Sequence, residues 1–196
     1  MRTIDYDPGM ATQPQAPTPR ITVEEFLAWA EGRPGRYELF RGEVFAQAAE
    51  PAAHWEVKLA THVALLAAIK AKALPCHVVP DGATVRIDET TAYEPDAMVY
   101  CGAPLSPDAL LVENPVVIVE VLSPSTSRAD RGRKLADYFR LASVAHYLII
   151  DPDDVLVIHH QRRGDDILTR IIREGTIALD PPGIEVKVAE IYGAEA

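Results

Sequence analysis

VVIVEVLSPST, residues 116–126, reads as a strand that runs into a turn. Val116, Val117, Ile118, Val119, Val121 and Leu122 are strong strand formers, and they surround a single acid, Glu120. A carboxylate in so apolar a strand is costly unless something pairs with it or binds to it. A platform that ends in an acid and then turns is a place to put chemistry. A buried ion pair with an arginine or lysine would explain the same acid.

The elements around this strand set the fold class. TVEEFLAWAEG (22–32) is a short helix, with Thr22 as cap and Glu25 three residues on, a capping-box pattern. RYELFRGEVFAQ (36–47) is a hairpin turning at Arg41-Gly42. A helix is expected over about 53–73, with Trp55, Leu59, His62, Val63, Leu66 and Ile69 recurring every three or four residues as its packing face. HVVPDG, ATVRIDE and EPDAMVY supply strands before the central one. SRADRGRKLADYFRLA (127–142) is a helix, and AHYLIID, DVLVIHHQ, DILTRIIRE and TIALD are strands, before PGIEVKVAEIYG closes the chain. A nearly all-apolar strand feeding a helix and a second apolar strand implies a crossover between parallel neighbours. The expected class is α/β, a central mixed sheet flanked by helices.

Composition narrows the function. The chain has 196 residues, a net charge of −10 and two cysteines. Residues 1–20 read as a flexible tail, 21–192 as one domain and 193–196 as its end. No apolar run reaches membrane-spanning length and no signal peptide is evident, so a cytoplasmic protein without a membrane partner is expected. Cys76 and Cys101 are expected as buried or half-buried thiols. The negative charge argues against nucleic-acid binding by the whole surface, though not against a local basic groove.

The candidate chemistry gathers at one end of the sheet. Asp96 begins a strand and Glu120 lies near the end of what should be its neighbour. Two close carboxylates need a proton or a cation between them. Asp96, Glu120 and the Val121 carbonyl make a partial oxygen shell for Mg2+ or Mn2+. Lys134, on the following helix, can reach back toward them, or can form an i, i+4 surface pair with Asp130. Tyr138 can pack with its hydroxyl at the edge. Glu38 on the hairpin can point the same way, and His54 either caps the long helix or contacts substrate. Arg128 and Arg131 belong to a basic segment that can meet phosphates or simply face solvent. His159 and His160 read as ordinary strand-end residues.

Several of these pieces, in this order, resemble the Uma2 family: YELFRGE (37–43), His54 before the long helix, EPDAMVY (94–100), VEVLSPST (119–126), the Asp130–Lys134–Tyr138 series and HYLIIDP (146–152). The resemblance spans roughly residues 20–192. It implies a PD-(D/E)XK restriction-endonuclease-like core in which Asp96 and Glu120 bind the metal. Where that pattern carries a lysine two residues after the second acid, this chain has Leu122, and Lys134 is similar to a relocated substitute. Glu38 is implied as a supporting catalytic acid. Under this reading His54, Arg128, Arg131 and Tyr138 contact substrate. The implied function is metal-dependent endonuclease cleavage, with DNA preferred over RNA on the analogy alone. The alternative is a nucleic-acid-binding or regulatory protein of the same fold with little or no catalysis. A homodimer is a further expectation, because sheet edges need cover.

Overall fold

The computed structural model describes residues 20–123 and 128–193, without the side chains of 128–131. Residues 1–19 of the expected tail, the end of the turn that follows the central strand (124–127), and the side chains of Arg128, Asp130 and Arg131 lie outside the described residues.

Local chemistry starts the chain as expected. The Glu25 N–H donates to Thr22 Oγ1 and the Thr22 N–H to Glu25 Oε2, closing a capping box on α1 (Val23–Ala30). Such a cap contributes about 1 kcal/mol. Val23 and Phe26 of α1 are buried with Leu39 in the cluster beneath the hairpin β1 (Tyr37–Phe40) and β2 (Glu43–Ala46). Its two-residue turn puts both Arg41 (φ 51°) and Gly42 (φ 80°) in the left-handed region, the form that matches strand twist. Gly42 is also required by space, since a Cβ there would sit 2.6 Å from Arg20 Cβ.

The long helix is α2 (Ala52–Ala71), followed by β3 (Cys76–Pro80), β4 (Val85–Asp88), β5 (Thr91–Tyr93), β6 (Ala97–Cys101) and β7 (Pro115–Val121). Next come α3 (Arg128–Tyr138), β8 (His146–Asp151), β9 (Leu156–Arg163), β10 (Asp166–Ile172), β11 (Thr176–Leu179), β12 (Ile184–Lys187) and α4 (Val188–Ile191). Six strands form the main sheet in the order β10-β9-β8-β7-β6-β3. β7 and β8 run parallel, joined through α3, and the other neighbours are antiparallel. The mixed sheet with helices against it is therefore as the sequence implies. A second sheet, β2-β1-β5-β4, adjoins it, and β11-β12 form a separate pair. β5, β12 and α4 are additions to the sequence reading.

Two apolar layers flank the main sheet. One packs α2, α4, β11 and β12 against Val99, Val117, Val119 and Ile150; the other packs α3 against Met98, Ile118, Tyr147 and Ile149. Alternate residues of β6, β7 and β8 thus enter opposite layers, and burial on both faces explains why these strands are apolar throughout.

Three expectations are corrected. α2 does not pack through Trp55, Leu59 and Val63, which are exposed; it buries His54, Val57, Thr61, Ala64, Leu65 and Ile69. Both faces of this helix are apolar, so periodicity does not choose between them, and the smaller residues allow the closer approach to the sheet. Cys76 and Cys101 are not thiols: β3 and β6 place them directly opposite, and they form a disulfide. His159 and His160 are buried within β9, where His159 Nε2 meets His146 Nδ1 at 2.9 Å and His160 Nδ1 meets Thr169 Oγ1 at 2.8 Å.

Candidate active site

The segment Glu94-Pro95-Asp96 carries the chain from β5 in the small sheet to β6 in the large one. Acids from both sheets therefore meet at this crossing. The Asp96 N–H donates to Val119 O at 3.0 Å, extending the β6–β7 ladder by one residue. The Asp96 carboxylate accepts the Val121 N–H at 2.7 Å. Asp96 and Glu120 consequently stand at the same end of adjacent strands.

Lys134 is 6% exposed and binds two acids, Glu38 Oε1 at 2.8 Å and Glu120 Oε1 at 3.0 Å. Tyr138, one helical turn further on, donates to Glu120 Oε1 at 2.8 Å. The Glu94 N–H donates to Glu38 Oε1 at 3.2 Å, which holds the hairpin acid in place. Among the described residues both side-chain bonds to Glu120 fall on Oε1, which leaves Oε2 for a cation or a proton. Burial pushes the Glu120 carboxyl up to about 7; Lys134 pulls it down, while Asp96 and Glu38 add to the rise. Burial opposes the Lys134 charge, but Glu120 and Glu38 outweigh it and hold the ammonium well above its ordinary range. One buried cation thus serves two half-buried carboxylates, with the buried Asp96 close by.

Sequence reasoning missed a second set of charged residues. Lys58 Nζ lies 2.5 Å from Glu50 Oε2, 3.0 Å from Asp81 Oδ2 and 3.5 Å from Asp96 Oδ1. Arg36 pairs with Glu50, and with Glu94 at 2.7 Å. His54, at the start of α2, is buried rather than an exposed cap. Its Nε2 lies 2.9 Å from Val121 O; a carbonyl only accepts, so this nitrogen carries the hydrogen. Nδ1 then faces Glu50 Oε2 at 3.2 Å. Glu50, His54 and Asp96 present ligand atoms within 4.8 Å of one another. A ring nitrogen fixed by a bond from the opposite N–H to a backbone carbonyl is the usual arrangement for a ligating histidine. The sequence signal for Glu50 was its place four residues before His54, on the same turn of chain.

Glu38, Glu50, Glu94, Asp96 and Glu120 all line one cavity of about 400 Å3, with His54, Arg133 and Lys134. The acids outnumber the cations, and this donor set suits a divalent metal ion. Phe40 and Phe45 line the hairpin side, with the Arg133 guanidinium 4.0 Å from the Phe40 ring centre. Of the expected site residues, Glu38, His54, Asp96, Glu120, Val121 and Lys134 line this cavity, and Tyr138 stands behind Glu120. Arg128 and Arg131 have no described side chains.

Comparison with known proteins bears on the fold and the family. The uncharacterized protein slr1290 of Synechocystis sp. is 26% identical over 186 residues, spanning 93% of this chain and 97% of that one. The uncharacterized protein sll1609 of the same organism is 29% identical over 164 residues, spanning 81% and 92%. The crystal structure of a "putative nuclease belonging to DUF820" from Anabaena variabilis matches with a TM-score of 0.69 at 16% identity, covering 88% of this chain and 98% of that one. That likeness shows the fold, which is restriction-endonuclease-like. The model of the Uma2 family, described as "Putative restriction endonuclease", matches residues 23–189, and the chain belongs to that family.

Proposed function

We propose that the protein is a metal-dependent endonuclease that hydrolyses phosphodiester bonds in DNA. The observation that carries this reading is the convergence of Asp96, Glu120, Glu38 and Lys134 on one acid-rich cavity. Asp96 is the common member of two ligand sets. Glu120 extends it on one side and Glu50 with His54 on the other, with the Val121 carbonyl held against the His54 ring. Participation of an imidazole favours Mn2+ over Mg2+, which prefers oxygen ligands and retained water. When bound, the ion supplies an acidified water and draws charge from the scissile phosphate.

The protein's own groups divide the remaining work. Asp96 and Glu120 bring negative charge to the cation. Lys134 orients Glu120 and offers hydrogen bonds to the charge that develops on phosphate. Tyr138 holds Glu120 Oε1 from behind. Arg133, seated on Phe40, meets the nucleic-acid backbone at the rim. Hydrolysis adds water across one P–O ester bond, leaving a phosphate monoester and a hydroxyl.

The test is a gel assay on supercoiled, linear and single-stranded DNA and on RNA, with Mg2+, Mn2+ or EDTA. Asp96→Ala and Glu120→Ala proteins are purified in parallel. Cleavage that needs the metal and is lost in both variants is the expected result. Cleavage that survives in both would overturn the assignment. Folded wild type that binds DNA without cutting it would establish the non-catalytic alternative instead.

A further inference from the structure

We propose that β10 pairs with β10 of a second copy of this chain, antiparallel across a two-fold axis at Thr169, joining two main sheets into one. This inference does not depend on the nuclease reading.

β10 (DILTRII) is one edge of the six-stranded sheet, and no described strand covers it. An open edge carries a row of unpaired N–H and C=O groups, which proteins normally protect with proline, lysine, a bulge or a short strand. The opposite edge, β3, ends in Pro80 and is tied to β6 by the disulfide. β10 is not short and carries no proline, lysine or bulge; its charged residues are Asp166 at one end and Arg170. It runs seven residues in unbroken register with β9, and it exposes Ile167 (42%), Leu168 (39%) and Ile171 (68%).

The register also says which groups are free. Arg163 opposes Asp166 across the two-residue turn Gly164-Asp165, and the pair flanking such a turn is hydrogen-bonded. Asp166, Leu168, Arg170 and Ile172 therefore bond to β9. Ile167, Thr169 and Ile171 turn their main-chain groups to the open edge. Thr169 has its hydroxyl engaged by His160, so its side chain is held within the chain.

The strand is complementary to itself. With the two-fold at Thr169, Ile167 of each copy lies opposite Ile171 of the other, and Thr169 lies opposite Thr169. About six main-chain hydrogen bonds form in this register. On the opposite face Asp166 lies diagonal to Arg170 of the other copy, within side-chain reach. Neither residue has an ion pair within its own chain among the described residues. The cavity lies at β6 and β7, away from this edge, and stays open in the paired form.

Light scattering on the full chain at micromolar concentrations should give twice the chain mass. Ile167→Lys/Ile171→Lys should return the mass to one chain while leaving the circular dichroism spectrum at low temperature unchanged. Thr169→Cys should form a disulfide-linked dimer under mild oxidation, a band absent from wild type. A monomeric wild type would overturn the proposal. So would a dimer that persists in the double lysine variant, and Trp55→Ser/Leu59→Ser would then test the exposed ridge of α2 instead.

Discussion

Lys134 Nζ lies 3.0 Å from Glu120 Oε1, although the lysine comes from α3 and the acid from β7. The position two residues after Glu120 is Leu122, which packs in the apolar layer beneath α3 and donates its N–H to Ile150 O. That direction leads away from the cavity. α3 instead lays its middle turn over the strand end, so the cation arrives from above. The same ammonium binds Glu38 from the hairpin and ties the two sheets together.

Lys134→Met should leave two half-buried carboxylates facing each other and cost up to about 3–5 kcal/mol at neutral pH, the penalty for breaking a fully buried pair. The penalty should depend on pH with a definite sign. Glu120 is already raised above its unfolded value, so the folded state holds the extra proton and stability falls as pH rises toward 7. Removing Lys134 raises it further. Urea unfolding at pH 5 and pH 8 should show the smaller penalty at pH 5; equal penalties would contradict the ion-pair account.

A bound divalent ion should relieve the same repulsion. At about 100 times its dissociation constant, an ion that binds only the folded chain adds about 2.7 kcal/mol. Mn2+ should therefore raise the thermal midpoint more than Mg2+, and Asp96→Asn should remove most of the rise. A rise that is unchanged in Asp96→Asn would place the ion elsewhere.

Tyr138→Phe deletes one hydrogen bond to Glu120 without opening a cavity. We expect a stability loss of about 1–2 kcal/mol. Because that bond lowers the Glu120 pKa, its loss should move the acid limb of the pH–rate profile upward. A profile that does not move would mean that Glu120 ionisation does not limit the rate.

The buried pair His146–His159 should limit stability in acid. Burial, and then the neighbouring His146, push His159 down to about 4, and burial lowers His146 as well. The unfolded chain binds the extra protons, so stability present above pH 6.5 is lost as pH falls toward 4. The loss should be roughly 1–3 kcal/mol. His159→Gln should flatten this part of the stability profile, as measured by denaturant midpoints between pH 4 and pH 7.

Much of this architecture is legible locally. The capping box at Thr22 and Glu25, the Arg41-Gly42 turn, and the all-apolar β7 with its single acid need only their neighbours in sequence. Asp96 and Glu120 stood out because a carboxylate beside a strand of valines is conspicuous. Glu50 did not, because it lies in an irregular segment with no apolar pattern to set it off. Its i, i+4 place before His54 is local, but its meeting with Asp96 exists only once α2 docks against the sheet.

The sequence by itself determined most of the elements, their order and the oddity of an acid in an apolar strand, because helix periodicity, caps and turns are short-range effects. The tertiary structure alone decided the rotation of α2, the pairing of Cys76 with Cys101, the burial of His146 against His159, and the meeting of Lys134 with Glu38. These depend on close packing and cross-strand register between segments far apart in the chain. A helix that is apolar on both faces carries no local preference for either one.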